Sequence, residues 1–287
     1  MIVSIGDLVL DVTIVPDRRL NADDDTPAAI RIGGGGQAAN FCAWAASLGE
    51  PSRLVCRVGA DDTAERLIAE LVQGGVDVRA VRGADPTGVV AVMVGPGGER
   101  TMATQRGASA GLRAEDLDRA WFAGARLVHV PAYSLFVEPL AAATWSAIGM
   151  AREEGAALAV DLSSAAGIIE YGPARMVAHL ERLRPELLFA TAAEADVLGV
   201  PLDDLAEHAV VKLGAAGCQV GHRRITAPPV AEVDATGAGD ALAAAFCSAI
   251  LAGADDVTAA ERAVAVAAQA VGIMGARPLR RAKGEPV

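Results

Sequence analysis

Short, mainly apolar runs alternate along the chain with longer stretches whose apolar residues recur at helical spacing. Six of the short runs predict buried strands: IVSIG, RLVCRVG, RLVHVPA, ALAVDLS, LLFAT and AVVKLG. Amphipathic stretches such as AERLIAELVQGG and PARMVAHLERLRP lie between them, and Gly49, Gly74 and Gly155 stand where helices are expected to end. This alternation predicts an α/β fold of three layers, α/β/α, with a mostly parallel central sheet.

Two segments interrupt the alternation. Residues 11–34 and 87–108 predict β-strands joined by turns, without an intervening helix. Such strands can leave the main sheet and pair with each other, and we expect them to form a small β lid over one end of it. The chain shows no long linker and no internal repeat, so residues 1–287 are predicted to form a single domain, with a loosely ordered tail after Pro278.

Composition narrows the classes of function. Of the 287 residues, 52% are hydrophobic, which supports a large core and excludes global disorder. The formal net charge is −11, and Lys and Arg cluster only in the C-terminal RPLRRAKGEPV, so we expect no nucleic-acid partner. Four scattered cysteines without a C-x-x-C pair indicate buried free thiols in a reducing compartment. With no signal peptide and no apolar stretch long enough to span a bilayer, the expectation is a cytoplasmic protein with no membrane partner.

Residues 233–240, VDATGAGD, place two glycines between two aspartates, and the ALAAAFCSAIL that follows predicts a helix. The stretch from Thr236 to Gly239 then lies at the start of that helix, where backbone N–H groups lack intrahelical partners and the helix dipole favours an anion. Asp240 falls in the first turn, where it could accept a proton from a hydroxyl that attacks a phosphate. The residues alone leave open a simple turn followed by an acid that stabilises the helix.

The string DATGAGDA is similar to the second signature of the ribokinase-like, or PfkB, carbohydrate kinase family. The resemblance implies that Asp240 is the catalytic base and that the amides of Gly237, Ala238 and Gly239 form an anion hole. It also implies the activity: in-line transfer of the γ-phosphoryl group of ATP to a hydroxymethyl group of a small sugar, with Mg²⁺.

A second glycine cluster, IGGGGQAANFCAWAASLG, occupies residues 32–49. Its G-x-G-x-x-A spacing also matches a dinucleotide-binding fingerprint, but RLVCRVG carries no acid where such a site needs one. The stretch resembles the family's first signature. That resemblance implies that Gly35, Gly36 and Asn40 bind the sugar.

Charged residues near these segments are further candidates. The resemblance implies that Asp11, after the first strand, accepts hydrogen bonds from substrate hydroxyls, and Asp7 is the competing candidate. Arg100 and Arg106 lie in the second lid segment, where they either reach an anionic substrate or are solvated strand charges.

The stretch VKLGAAGC, residues 211–218, resembles the family's nucleotide-side T-x-G-x-x-G segment. Lys212 takes the place of the usual Thr, and Gly214 and Gly217 hold the glycine positions. The implied ATP site comprises these three residues together with Thr236 and Gly237.

Two acids are implied cation ligands. Glu194 retains the acid of the family's N-x-x-E motif, although Thr191 replaces its Asn, so Mg²⁺ is expected to be held through water. Asp234 is the candidate for a monovalent cation site, with K⁺ as a further candidate cofactor.

Alternatives remain at this stage. The lid segments contain no aromatic residue, which favours a simple sugar over a nucleoside as partner, but a nucleoside kinase or a non-catalytic sugar- or nucleotide-binding member of the family stays open. A hydrolase is a further alternative, because GASAG at residues 107–111 matches G-x-S-x-G around Ser109, and Asp161 and a histidine could complete a triad. Lids in the family often pair between subunits, so the resemblance implies a homodimer through the β lid.

Overall fold

The computed structural model describes residues 1–95 and 100–278. Its strands are β1 (Ile2–Ile5), β2 (Val9–Pro16), β3 (Ala28–Gly35), β4 (Ser52–Gly59), β5 (Val76–Gly83), β6 (Thr87–Val94), β7 (Arg100–Gly107), β8 (Leu127–Pro131), β9 (Ala157–Asp161), β10 (Leu187–Thr191), β11 (His208–Lys212), β12 (Cys218–Val220) and β13 (Arg223–Ile225). Its α-helices are α1 (Gln37–Ser47), α2 (Asp62–Gln73), α3 (Tyr133–Phe136), α4 (Leu140–Glu153), α5 (Ala165–Tyr171), α6 (Pro173–Leu183), α7 (Ala192–Leu198), α8 (Ala238–Leu251) and α9 (Asp256–Val271).

Within the described residues, nine strands form the central sheet in the order β13-β12-β11-β10-β9-β8-β1-β4-β5. Neighbouring strands from β11 to β5 run parallel, and the β12–β13 hairpin adds an antiparallel edge. All six strands predicted from apolar runs belong to this sheet. The edge strand β5, VDVRAVRG, was not among them, because its alternating charged residues lack the apolar continuity of a buried strand.

Two cores lie on opposite faces of this sheet, and successive strand residues alternate between them. On β1, Ile2 packs in the core formed with α1, α2, α8 and α9, whereas Val3 packs in the core formed with α4, α5, α6 and α7. Small side chains dominate α8 and α9, which allows the two helices to approach closely. The predicted three-layer α/β/α architecture is confirmed.

Four strands form a second sheet, β3-β2-β6-β7, in the part of the chain that is described. The β2–β6 pair is parallel, and β3 and β7 flank it in antiparallel register. This separate small sheet, which we call the lid sheet, is the one expected from residues 11–34 and 87–108. The tail after Pro278 lies outside the described residues.

The four predicted free thiols are all among the described residues. Cys42, Cys56, Cys218 and Cys247 are buried free thiols. Among the described helices, none combines the length and apolarity that crossing a bilayer requires.

Candidate active site

A cleft of about 800 Å³ lies at the carboxyl ends of the central strands and is closed on one side by the lid sheet. Asp7 after β1, Asp161 on β9, Thr191 on β10 and Lys212 on β11 all line it, because parallel strands present their carboxyl ends at one edge. The same cleft receives eight of the predicted site residues: Asp11, Gly36, Asn40, Glu194, Lys212, Thr236, Gly237 and Asp240.

Helix α8 opens into this cleft. Its N-cap, Gly237, has a φ of 78°, and a Cβ there would overlap the carbonyl oxygen of Ala276, so only glycine fits without strain. The N–H of Ala241 donates to the Gly237 carbonyl at 2.9 Å. The N–H groups of Gly239 and Asp240 lie before this intrahelical bond in the chain. The Ala238 N–H makes a longer contact of 3.3 Å to Ala235. Backbone amides at a helix start favour an anion, and this helix start faces the cleft.

Asp240 lies in the first turn of α8, and its Oδ2 accepts a hydrogen bond of 3.0 Å from Asn40 Nδ2. Burial raises the pKa of Asp240 to about 7, against the opposing effect of the Asn40 hydrogen bond. Asp161 and Asp11 raise this pKa further, whereas Lys212 lowers it. A carboxylate with a pKa near neutrality is suited to accept a proton from an alcohol.

Lys212 and Asp161 form an ion pair of 2.6 Å across the intervening strand β10. Asp161 is 1% exposed and Lys212 11%, so the pair is almost completely desolvated. Lys212 Nζ lies 3.5 Å from the place where a Cβ on Gly239 would stand, which sets its charge beside the start of α8. Burial alone would lower the pKa of Lys212, but the charge and hydrogen bond of Asp161 together with the charges of Glu194 and Asp240 outweigh it, and the pKa is raised.

Glu194 is buried at the start of α7, where it forms a capping box with Thr191. Its Oε2 accepts from the Thr191 amide at 2.7 Å, and its own amide donates to Thr191 Oγ1 at 3.3 Å. Burial and the neighbouring Asp161 raise the pKa of Glu194. The Thr that replaces the Asn of the family motif therefore has a structural role, since it caps the helix that carries Glu194.

The other end of the cleft contains the residues predicted to hold the acceptor. Burial raises the pKa of Asp11 to about 6, although Arg277 opposes the rise. Gly35 packs directly against the Asp11 carboxylate and has no room for a side chain, and Gly36, with a φ of 96°, packs against the Asp7 carbonyl. Both glycines are needed for this close packing.

Asp7 and Arg106 are paired. Arg106 on β7 donates to both carboxylate oxygens of Asp7, at 3.0 and 2.7 Å, and to the Tyr133 carbonyl at 2.9 Å. Asp7 is thus a structural partner of the lid sheet, and Asp11 remains the acid predicted to contact substrate. The side chain of Arg100 lies outside what the structure describes.

Six predicted residues are not among those that line the cleft: Gly35, Ala238 and Gly239, which are next to lining residues in the chain, and Gly214, Gly217 and Asp234. Gly214 and Gly217 lie in the turn between β11 and β12, and a Cβ on Gly217 would overlap the Ile225 carbonyl. Asp234 Oδ1 accepts from the Thr236 amide at 2.9 Å and from its hydroxyl at 2.6 Å, and Oδ2 accepts from the Gly275 amide at 3.1 Å. Asp234 therefore organises the loop that leads into α8.

The sequence analysis missed an aromatic wall in the cleft. Tyr133 and Phe136 contribute from α3, and Tyr171 from α5, with ring centroids 6.0 Å apart for Tyr133–Phe136 and 5.1 Å apart for Phe136–Tyr171. The Arg175 guanidinium lies 4.2 Å from the Tyr171 ring centroid. These residues belong to α3 and α5 and not to the lid sheet, so the absence of aromatics from the lid segments did not predict the character of the cleft.

The hydrolase alternative has no structural basis. Ser109 is buried in a 3-10 turn after a lid strand, and its hydroxyl donates to the Arg57 carbonyl at 3.2 Å. Asp161, the acid required for that triad, is paired with Lys212. The glycine run read as a dinucleotide fingerprint instead ends β3, paired antiparallel with β2 in the lid sheet.

Known proteins are similar to this chain over nearly its whole length. A family model described as "pfkB family carbohydrate kinase" matches residues 1–282. The ATP-dependent ribose-1-phosphate kinase of Halopiger xanaduensis is 31% identical over 284 residues, which cover 96% of this chain and 93% of that protein.

Solved structures show the same fold. The adenosine kinase of Sinorhizobium meliloti superposes with a TM-score of 0.85 at 24% identity, covering 97% of this chain and 96% of that one. An E. coli protein assigned as a ribokinase II, solved with ATP and Mg²⁺, has a TM-score of 0.83 at 23% identity and covers 96% of this chain and 94% of its own.

Proposed function

The chain belongs to the pfkB carbohydrate kinase family, and we propose that it transfers the γ-phosphoryl group of ATP to a hydroxymethyl group of a small sugar, with Asp240 as general base. The position of Asp240 carries this proposal: a half-buried carboxylate in the first turn of α8, in the cleft that also contains Asp11, Asn40 and Lys212. The family membership supports the reaction class, and the residues of this chain support the role of each group.

The proposed step is a direct in-line displacement. The Asp240 carboxylate takes the proton of the acceptor hydroxyl while that oxygen bonds to the γ-phosphorus and the bond from phosphorus to the ADP oxygen breaks. The backbone N–H groups of Gly237, Ala238 and Gly239 stabilise charge on the transferring group, because the start of a helix favours an anion. Lys212 adds a fixed positive charge on the same side.

The residues present also fit Mg²⁺. Glu194 and Asp161 supply carboxylate oxygens at the phosphate end of the cleft, and the raised pKa of Glu194 reflects buried negative charge that a divalent cation would relieve. When bound with ATP, the ion would neutralise charge on the phosphates, held by Glu194 through water. We propose ATP and Mg²⁺ as cofactors, in keeping with the E. coli structural relative solved with both.

Asp11, Gly35, Gly36 and Asn40 are proposed to hold the acceptor. Asp11 is a carboxylate that can accept hydrogen bonds from sugar hydroxyls, and the two glycines let the backbone approach the ligand. Closure of the lid sheet over the cleft would exclude water and limit ATP hydrolysis.

A nucleoside is the second candidate acceptor, and the aromatic wall favours it. Tyr133, Phe136 and Tyr171 face the same cleft as the aliphatic Val90 and Val92 of the lid sheet. A planar base fits between an aromatic and an aliphatic wall, because aromatic groups pack well in such slots. A simple sugar would leave more of this apolar surface uncovered.

Two further proposals concern assembly and cations. The lid sheet exposes the large apolar side chains of Ile30 and Ile32 on its outer strand β3. A second copy of the chain would cover them, and we propose a homodimer through this sheet. K⁺ is proposed as a second cation near Asp234, bound mainly by backbone carbonyls.

The test is release of ADP from ATP with D-ribose, D-fructose, 2-dehydro-3-deoxygluconate and adenosine as acceptors, with Mg²⁺ or K⁺ omitted in parallel. Acceptor-dependent ADP release that requires Mg²⁺ is expected. Phe136→Ala separates the two acceptor classes: it should raise the KM of adenosine and leave that of a simple sugar within about twofold. Nucleotide binding without any acceptor-dependent ADP release would contradict the kinase proposal and favour a non-catalytic member.

A further inference from the structure

Residues 275–277 link the two ends of the cleft. The Gly275 amide donates to Asp234, the Ala276 carbonyl accepts from Trp44 Nε1 at 3.0 Å, and the same carbonyl lies against Gly237. This segment therefore touches both the loop before α8 and helix α1. Neither signature motif contains it.

Arg277 extends the connection into the acceptor end. Its Nε donates to Asn40 Oδ1 at 3.2 Å, its Nη2 to the Gly35 carbonyl at 2.9 Å, and its Nη1 pairs with Glu70 at 3.1 Å. The side chain is only 8% exposed. Burial of a guanidinium costs free energy of desolvation, and its three hydrogen-bond partners hold this one in a single orientation.

The chemistry of the guanidinium decides which way the Asn40 amide faces. Asn40 carries one acceptor oxygen and one donor NH₂ group, and either could face Asp240. Arg277 can only donate, so it must face the Asn40 oxygen, which leaves the Asn40 NH₂ to donate to Asp240. The opposite orientation would bring the amide oxygen against the Asp240 carboxylate.

We propose that Arg277 is a positioning residue, which fixes the Asn40 amide as a donor to Asp240 and holds the Gly35 carbonyl, at the end of β3, beside Asp11. The catalytic meaning of this role rests on the proposed function of Asp240. The positioning itself is a property of the unliganded protein and can be measured without turnover.

The experiment is a ¹³C titration of protein labelled at aspartate carboxyls, with the Asp240 signal assigned by its loss in Asp240→Asn. Besides Asn40 on α1, the groups that face Asp240 are Asp161 on β9, Lys212 on β11 and Asp11 on β2. Arg277→Met should raise the pKa of Asp240 by about one, since a charge-assisted hydrogen bond is lost. Asn40→Ala should raise it as much, and the double variant should raise it no further, because Arg277 acts through Asn40.

The double variant and the sign together separate positioning from simple electrostatics. A direct effect of the Arg277 charge on Asp240 would persist without Asn40, so its rise would add to that of Asn40→Ala in the double variant. An effect through Asp11 has the opposite sign. Arg277 lowers the pKa of Asp11, and the charge of Asp11 raises that of Asp240. Loss of Arg277 acting only through Asp11 would therefore lower the pKa of Asp240, opposite to the proposed result.

The matched control is Arg53→Met. Arg53 is also a largely buried arginine paired with an acid, Asp77, but it lies at the amino end of β4, away from the cleft. It should leave the pKa of Asp240 unchanged. If Arg277→Met does not fold, Arg277→Met/Glu70→Gln removes the unpaired partner charge and serves instead. An unchanged or lowered pKa of Asp240, or additive rises in the double variant, would overturn the proposal, whereas failure of ADP release would count only against the kinase function.

Discussion

Removal of the Lys212 charge tests whether the buried ion pair between Lys212 and Asp161 is structural, catalytic or both. Lys212→Met keeps most of the side-chain volume but leaves Asp161, at 1% exposure, without its cation. Loss of one partner of a buried pair costs about 3–5 kcal/mol, because an uncompensated charge remains. We expect the free energy of unfolding in urea to fall by that amount.

The double variant Lys212→Met/Asp161→Asn separates the two roles. It removes both charges, so most of the stability should return. Turnover should not return: we expect kcat to be lower on the order of 10² in both variants, because the charge beside the Gly239 amide is gone in each.

Urea unfolding followed by circular dichroism and ADP release under saturating substrates are the two assays. A Lys212→Met protein as stable as wild type would show that the pair is not energetically important. A double variant with wild-type kcat would remove Lys212 from the proposed mechanism.

Three further predictions concern pH, the start of α8 and assembly. Burial raises the pKa of Asp240 to about 7 and that of Asp11 to about 6, and both residues are proposed to act as carboxylates. The value of kcat/KM should therefore fall as pH drops below 7, with a steeper slope below 6. A profile that is flat down to pH 5 would exclude both proposed roles. Gly237→Ala should destabilise the fold by about 3 kcal/mol and raise the KM of ATP, whereas the control Gly253→Ala, with a φ of 86° but open space around it, should cost about 1 kcal/mol and leave that KM unchanged; equal effects would refute the packing argument. Ile32→Lys should convert the proposed dimer to a monomer in light scattering, and a monomeric wild-type protein would contradict the proposed lid-mediated assembly.

The individual strands and the layers could be predicted because apolar runs and helical periods are local signals. The start of α8 could be predicted as well, since Gly237 and Asp240 lie within one short string. The long-range contacts around these residues could not be predicted. Asp161 and Lys212 are 51 residues apart in the chain, and Asn40 and Arg277 are 237 apart. Each contact depends on which strands and helices are neighbours in the folded protein, and no short stretch of sequence encodes that arrangement.

The character of the acceptor end was missed for a similar reason. Tyr133 and Tyr171 belong to separate helices, α3 and α5, and neither lies in a segment predicted to cover the cleft. The sheet topology brings them together opposite the lid strands. The ion pair of Asp7 could not be predicted for the same reason, because its partner Arg106 lies in the lid sheet.

The central claim is that Asp240 takes the acceptor's proton during phosphoryl transfer, and Asp240→Asn tests it most directly. Asparagine keeps the shape and can still contact Asn40, but it cannot accept the proton. With ATP and the best acceptor of the panel, kcat should fall on the order of 10² or more while ATP still binds with wild-type affinity by calorimetry. A variant that binds ATP normally and turns over within about threefold of wild type would contradict the account.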